Sequence, residues 1–84
     1  MQCAIYKSRR KQDTYLYLAT KDDFSAIPDA LLKLLGDPIH VMDLELRPDR
    51  KLAQEDTAEV LRNLRERGWY LQMPRREEWP AIKH

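Results

Sequence analysis

Two short alternating runs near the N-terminus, residues 2–8 and 14–20, are separated only by Arg9-Arg10-Lys11-Gln12-Asp13. That spacing restricts the fold more than any other feature of the chain. Cys3 and Ile5 alternate with Ala4 and Tyr6, and Leu16 and Leu18 alternate with Tyr15 and Tyr17, the two-residue period of a strand. A connector this short, charged and free of apolar residues leaves no length for a crossover. The two runs are therefore expected to form an antiparallel hairpin.

Helical periodicity follows. Ile27, Leu31, Leu34 and Leu35 fall on one face at the i, i+4, i+7, i+8 spacing. Asp23 and Ser25 are placed to cap the entry turn, and Pro28 suits the first helical position because its missing N–H had no partner there. Gly36 ends the helix and Pro38 prevents its continuation. Residues 39–46 read as a third strand, with Met42, Leu44 and Leu46 on one face and Ile39 and Val41 on the other. Apolar residues on both faces at its start predict an interior strand. A second helix is expected from about Gln54 to Arg67, its stripe formed by Ala53, Thr57, Val60, Leu61 and Leu64. Its acids, Glu55 and Asp56, lie near the positive end of the helix dipole, and Arg62, Arg65 and Arg67 lie toward the negative end. Gly68 stops it before a fourth strand, residues 69–73. The order is ββαβαβ in a chain of 84 residues, enough for one core. The expected fold is α/β of the α+β type: a small four-stranded mixed sheet with an N-terminal antiparallel hairpin and two helices, one on each face. Residues 1–75 form one domain. Residues 76–84 form a tail expected to dock through Trp79, since a free tail gains nothing from an exposed indole.

Composition excludes several functional classes. Fifteen Lys and Arg oppose fourteen Asp and Glu, so no global field draws in nucleic acid or an acidic membrane. No apolar run reaches the ~20 residues of a membrane span. A single Cys precludes an internal disulfide, and with no signal-peptide pattern the expected location is the cytoplasm. A zinc site needs three or four close-spaced ligands, whereas this chain offers Cys3 with the isolated His40 and His84, so no metal is expected. Cys3, on an apolar face without a local base, reads as a core residue. Asp22-Asp23 and Glu55-Asp56 precede helix starts, where capping explains them. Glu77-Glu78 reads as a solvated stretch. No phosphate-cradling loop or nucleophile motif appears, and no cofactor is expected.

Three stretches together resemble the YcgL domain family of small, single-domain bacterial proteins. They are Cys3-Ala4-Ile5-Tyr6-Lys7-Ser8, then Asp23-Phe24-Ser25 through Pro28 to Ala30-Leu31-Leu32, and finally Gly68-Trp69-Tyr70-Leu71-Gln72-Met73-Pro74. Gly36-Asp37-Pro38, Val41-Met42 and Val60-Leu61 extend the likeness over residues 1 to about 75. The resemblance implies a compact α/β fold and brings neither an activity nor catalytic residues.

The residues point to a non-catalytic binding or adaptor domain acting on an unidentified protein partner. The surface expected to carry it joins Trp69, Tyr70 and Gln72 to Arg75, Arg76 and Trp79, where aromatic and basic groups meet. The alternative is a single-stranded RNA surface built from Lys7, Arg9, Arg10 and Lys11 with Tyr15 and Tyr17, combining phosphate contacts with base stacking. A third reading, a small enzyme, requires Cys3 and His40 to meet at the floor of a cleft.

Overall fold

Strands β1 (Gln2–Lys7) and β2 (Tyr15–Leu18) pair antiparallel with Ala4 opposite Leu18 and Lys7 opposite Tyr15, as the short charged connector required. The fold is that of a computed structural model describing residues 1–52 and 55–74. Arg75, Arg76 and Trp79, and with them the expected docking of the tail, lie outside the described residues. The remaining elements are α1 (Asp29–Leu35), β3 (Ile39–Glu45), α2 (Thr57–Glu66) and β4 (Trp69–Gln72). They make an α+β domain in the expected ββαβαβ order.

The sheet order is β3-β1-β2-β4, and every pairing is antiparallel. The expectation of a mixed sheet is corrected in this respect. The α1 connection steps over β1, so β2 and β3 run in the same direction without becoming neighbours. The α2 connection then returns the chain to the far edge, where β4 opposes β2. The interior position assigned to β3 is also corrected: β3 is an edge strand, with Ile39, Val41 and Met42 exposed at 42%, 47% and 46%. The interior belongs to β1 and β2; in β1, Cys3, Ala4, Ile5 and Tyr6 are all buried, facing alternate sides of the sheet.

Each face carries its own core. Cys3, Ile5, Tyr17, Leu44 and Leu46 pack with Val60, Leu61 and Leu64 of α2. Ala4, Tyr6, Leu16 and Leu18 pack with Ile27 and with Leu35 of α1. The helices thus cover opposite faces, as expected. The stripe of α2 holds at Thr57, Val60, Leu61 and Leu64, and Asp56 caps it by accepting from the Ala58 N–H. The expected start at Gln54 is not where the helix begins, because Asp56 supplies the cap; Ala53 and Gln54 lie outside the described residues. In α1 the phase slips. Leu34 is 50% exposed while Leu32 packs against the core, because Ile27 lies before the helix and does not set its period. The structure has Pro28 as the N-cap without a side-chain bond, while Asp23 accepts from the N–H and hydroxyl of Ser25, closing a turn upstream. Gly36 ends α1 at φ +68° with its N–H bonded to the Leu32 carbonyl, as read from the sequence.

Candidate functional site

The hairpin loop is tied to the end of α1. An α-helix ends with carbonyls that lack an internal partner, and the Leu35 carbonyl accepts from the Ser8 hydroxyl at 2.8 Å, the Arg9 N–H at 3.1 Å and the Arg10 N–H at 3.3 Å. The same Ser8 oxygen accepts from the Lys11 N–H at 2.8 Å and the Arg10 N–H at 3.2 Å, and Arg9 Nε donates to the Asp37 carbonyl at 2.9 Å. The Arg10 stem lies across Gly36, so closely that a Cβ there would come within 2.6 Å of Arg10 Cγ. These contacts hold exposed Arg9, Arg10 and Lys11 beside the exposed Lys33 of α1.

Two adjoining depressions open at this junction. One, about 320 Å³, is lined by Phe24, Leu32, Asp37 and Pro38. The other, about 480 Å³, is lined by Arg10, Leu32, Lys33, Gly36 and Asp37. Leu32 and Asp37 belong to both. Phe24 in turn packs on Tyr6, whose ring meets Phe24 edge-on at 5.1 Å and His40 edge-on at 5.4 Å. The Tyr6 hydroxyl donates to Asp22 Oδ1 at 3.0 Å and accepts from the Asp22 N–H at 2.7 Å. This group is therefore fully engaged.

A register shift in β3 decides which way its side chains point. Ile5 opposes Met42 but Tyr6 opposes His40, leaving Val41 as the extra residue of a bulge. His40 and Met42 consequently face opposite sides of the sheet. His40 joins Tyr6 on the α1 side, and Cys3 lies on the α2 side. The pairing that a small enzyme would have required is not formed. Burial also pushes the Cys3 thiol up to about 11, disfavouring the reactive thiolate. His40 Nε2 instead meets Asp43 Oδ1 at 2.9 Å, and that bond holds the Asp43 carboxyl below its usual range. A third depression, about 340 Å³, lies where α2 begins and mixes Arg50 and Lys51 with Glu55 and Asp56, so no single charge converges there. Among the described residues no cluster of His, Cys, Asp or Glu suits a metal ion. Among them, too, no helix is long and apolar enough to cross a membrane.

The residues singled out in the sequence are not gathered in one place. Trp69 rests on the α1-side core with Arg67 4.3 Å above its ring, while Tyr70 packs on the α2-side core and donates to Glu55. Gln72 accepts from the Tyr17 hydroxyl at 2.7 Å. Tyr17 is only 5% exposed and meets Tyr70 edge-on at 6.0 Å, and Tyr15 is half-buried against the same core. Neither ring projects from the basic hairpin. Lys7, Arg9, Arg10 and Lys11 are exposed together, as read. Sequence reasoning missed Phe24, Leu32, Lys33 and Pro38 as parts of one surface, and missed the exposure of Ile39, Val41 and Met42. Their apolar character was visible, but it served equally for a buried strand.

Comparison with known proteins gives a consistent picture. The family model described as the YcgL domain matches residues 3–75. A YcgL domain-containing protein of Thioalkalivibrio sulfidiphilus is 56% identical over 80 residues, covering 95% of this chain and 99% of that protein. One from Azotobacter vinelandii is 51% identical over 76 residues, covering 90% of this chain and 78% of its own. A protein of Nitrosococcus oceani named putative HAD-like hydrolase is 52% identical over 75 residues, which are 89% of this chain but 20% of that protein.

Proposed function

The chain belongs to the YcgL domain family, and we propose that it is a cytoplasmic, non-catalytic binding module that acts by contact with a protein partner. The observation that carries this reading is the β3 edge. An edge strand presents unpaired backbone groups, and soluble proteins usually blunt such edges with charge or cover. Here Ile39, Val41 and Met42 are left exposed along it, continuous in sequence with Pro38 of the apolar depression. The bulge at Val41 limits free pairing, which suits a surface reserved for one partner. The Nitrosococcus oceani relative supports the reading in a second way: the segment like this chain is one fifth of a larger polypeptide, as expected of a module that works beside another protein.

The surface first read around Trp69, Tyr70 and Gln72 is the opposite edge of the same sheet. Its aromatic rings each rest one side on a core, which leaves less area for a partner than β3 offers. Single-stranded RNA binding is the second reading and rests on the exposed cations of the hairpin, though the buried ring of Tyr17 offers no stacking platform.

The test is affinity capture from the native cell with the full chain carrying Val41→Lys and Met42→Lys, beside a chain carrying Trp69→Ala and Tyr70→Ala. The β3 variant is expected to lose the partners of the parent while keeping its circular dichroism spectrum. Retention of every partner by the folded β3 variant would refute the assignment. Ribonuclease treatment separates the RNA reading, since contacts made through RNA disappear with it.

A further inference from the structure

We propose that the junction of α1 and the hairpin binds an acidic peptide segment carrying one aromatic anchor, presented by a partner protein. The inference rests on the binding-module reading and adds the chemistry of what is bound.

Charge at this end of the sheet is strongly one-sided, although the whole chain is nearly neutral. Lys7, Arg9, Arg10, Lys11 and Lys33 are all exposed here, against Asp13 and Asp37. Among the described residues the ion pairs are Met1 with Glu45, His40 with Asp43 and Arg62 with Glu59, so none of these five cations is neutralised by one. The loop that carries three of them is held in place through its backbone. Three donors from Ser8, Arg9 and Arg10 fix the loop to Leu35, and Arg9 is anchored on the Asp37 carbonyl. A loop backbone fixed in advance loses less on binding than a floppy one, although the longer side chains still have to order.

Beside the cations lies a largely apolar seat, which the acidic Asp37 also lines. Phe24, Leu32 and Pro38 line a depression of about 320 Å³ that runs into the larger one rimmed by Arg10 and Lys33. A side chain seated there places its neighbouring carboxylates against the two cations. Aromatic residues are favoured anchors because they bury much area with few rotatable bonds, and an indole also gains from a cation at the rim. Arg10 is able to supply it.

RNA fits this junction less well. Phosphates would find the cations, but the seat is one small depression rather than a row of rings, and Tyr6 and Tyr17 are buried beneath the sheet surface. Base stacking supplies much of the affinity for single strands. A protein segment uses both the charges and the apolar seat.

The test is a titration of the nitrogen-15-labelled full chain, followed by NMR, with acetyl-Glu-Glu-Trp-Glu-Glu-amide as the probe. Amide shifts are expected at Leu32, Lys33, Gly36 and Asp37. The combined Arg10→Glu and Lys33→Glu variant is expected to lower affinity by about tenfold, whereas Arg47→Glu should leave it unchanged. The same peptide with Trp replaced by Ala, or with every Glu replaced by Lys, should bind at least about tenfold more weakly. Absence of shifts at these four residues, or an equal response to the lysine peptide, would overturn the proposal. So would shifts produced there by oligouridine and not by the acidic peptide. If Trp79→Ala alone shifted the same four amides without any peptide, the seat would belong to the chain's own Glu77-Glu78-Trp79 sequence, and the partner assignment would fall. The β3 capture experiment reads the broader function separately. Peptide failure with partner loss in the Val41→Lys, Met42→Lys chain rejects this inference and leaves that function standing.

Discussion

Replacing Gly36 by Ala separates two physical costs at one position. Gly36 sits at φ +68°, where an L-residue with a Cβ is less stable by about 1–2 kcal/mol. The added Cβ would also stand 2.6 Å from Arg10 Cγ and 2.9 Å from Cδ, too close for any real contact. The Arg10 side chain is exposed and flexible, so it swings aside at about 0.5–1.5 kcal/mol rather than forcing the backbone. The sum is about 1.5–3.5 kcal/mol, against a total stability of about 4–13 kcal/mol for a domain of this length. A loss of that size lowers Tm by at least about 6 °C. Urea unfolding of Gly36→Ala, Arg10→Ala and the double variant closes a mutant cycle. Coupling between the two sites measures the clash, and the cost that persists in the Arg10→Ala background measures the left-handed backbone. A Gly36→Ala chain within about 0.5 kcal/mol of the parent would refute both terms. Vanishing of the whole cost in the Arg10→Ala background would refute the backbone argument alone.

Ser8→Ala removes a buried hydroxyl that donates to Leu35 and accepts from Arg10 and Lys11. It should destabilise by about 1–3 kcal/mol and speed amide exchange at Lys11; unchanged exchange there would show that the loop is held by other contacts. Native Cys3 should resist iodoacetamide at mildly alkaline pH, because burial raises its thiol to about 11, and should react once unfolded. Modification at the rate of a free thiol in the folded chain would contradict its place in the core. Tyr17 and Tyr70 are likewise raised to about 12, chiefly by burial. Since all three folded-state values exceed their ordinary ones of 9.0 and 10.0, the unfolded chain releases protons first. The stability these three groups contribute should be fully present below pH 9 and be lost as pH rises through about 11–12. In Cys3→Ala the decline should begin nearer 10 than 9; an identical onset in urea midpoints would refute the assignment to the thiol.

Local chemistry made much of this molecule legible before its fold was known. The hairpin followed from five charged or polar residues between two alternating runs, the end of α1 from Gly36 and Pro38, and the stripe of α2 from Thr57, Val60, Leu61 and Leu64, since each depends on neighbours within one or two turns of chain. The exposed hairpin cations were legible for the same reason. Strand order was not. The apolar Ile39, Val41 and Met42 describe an interior strand as well as an exposed edge, and only the pairing of β1 with both β2 and β3 decides between them. The bulge at Val41, which sends His40 away from Cys3, has no mark in the sequence because it arises from the register of two strands far apart in the chain. Long-range hydrogen bonding also joined Ser8 to Leu35 and so brought Phe24, Leu32, Pro38 and Arg10 around one seat. A linear reading sees periodicity and charge; which surfaces meet depends on how the strands pair and so divide the apolar side chains between the cores on the two faces of the sheet.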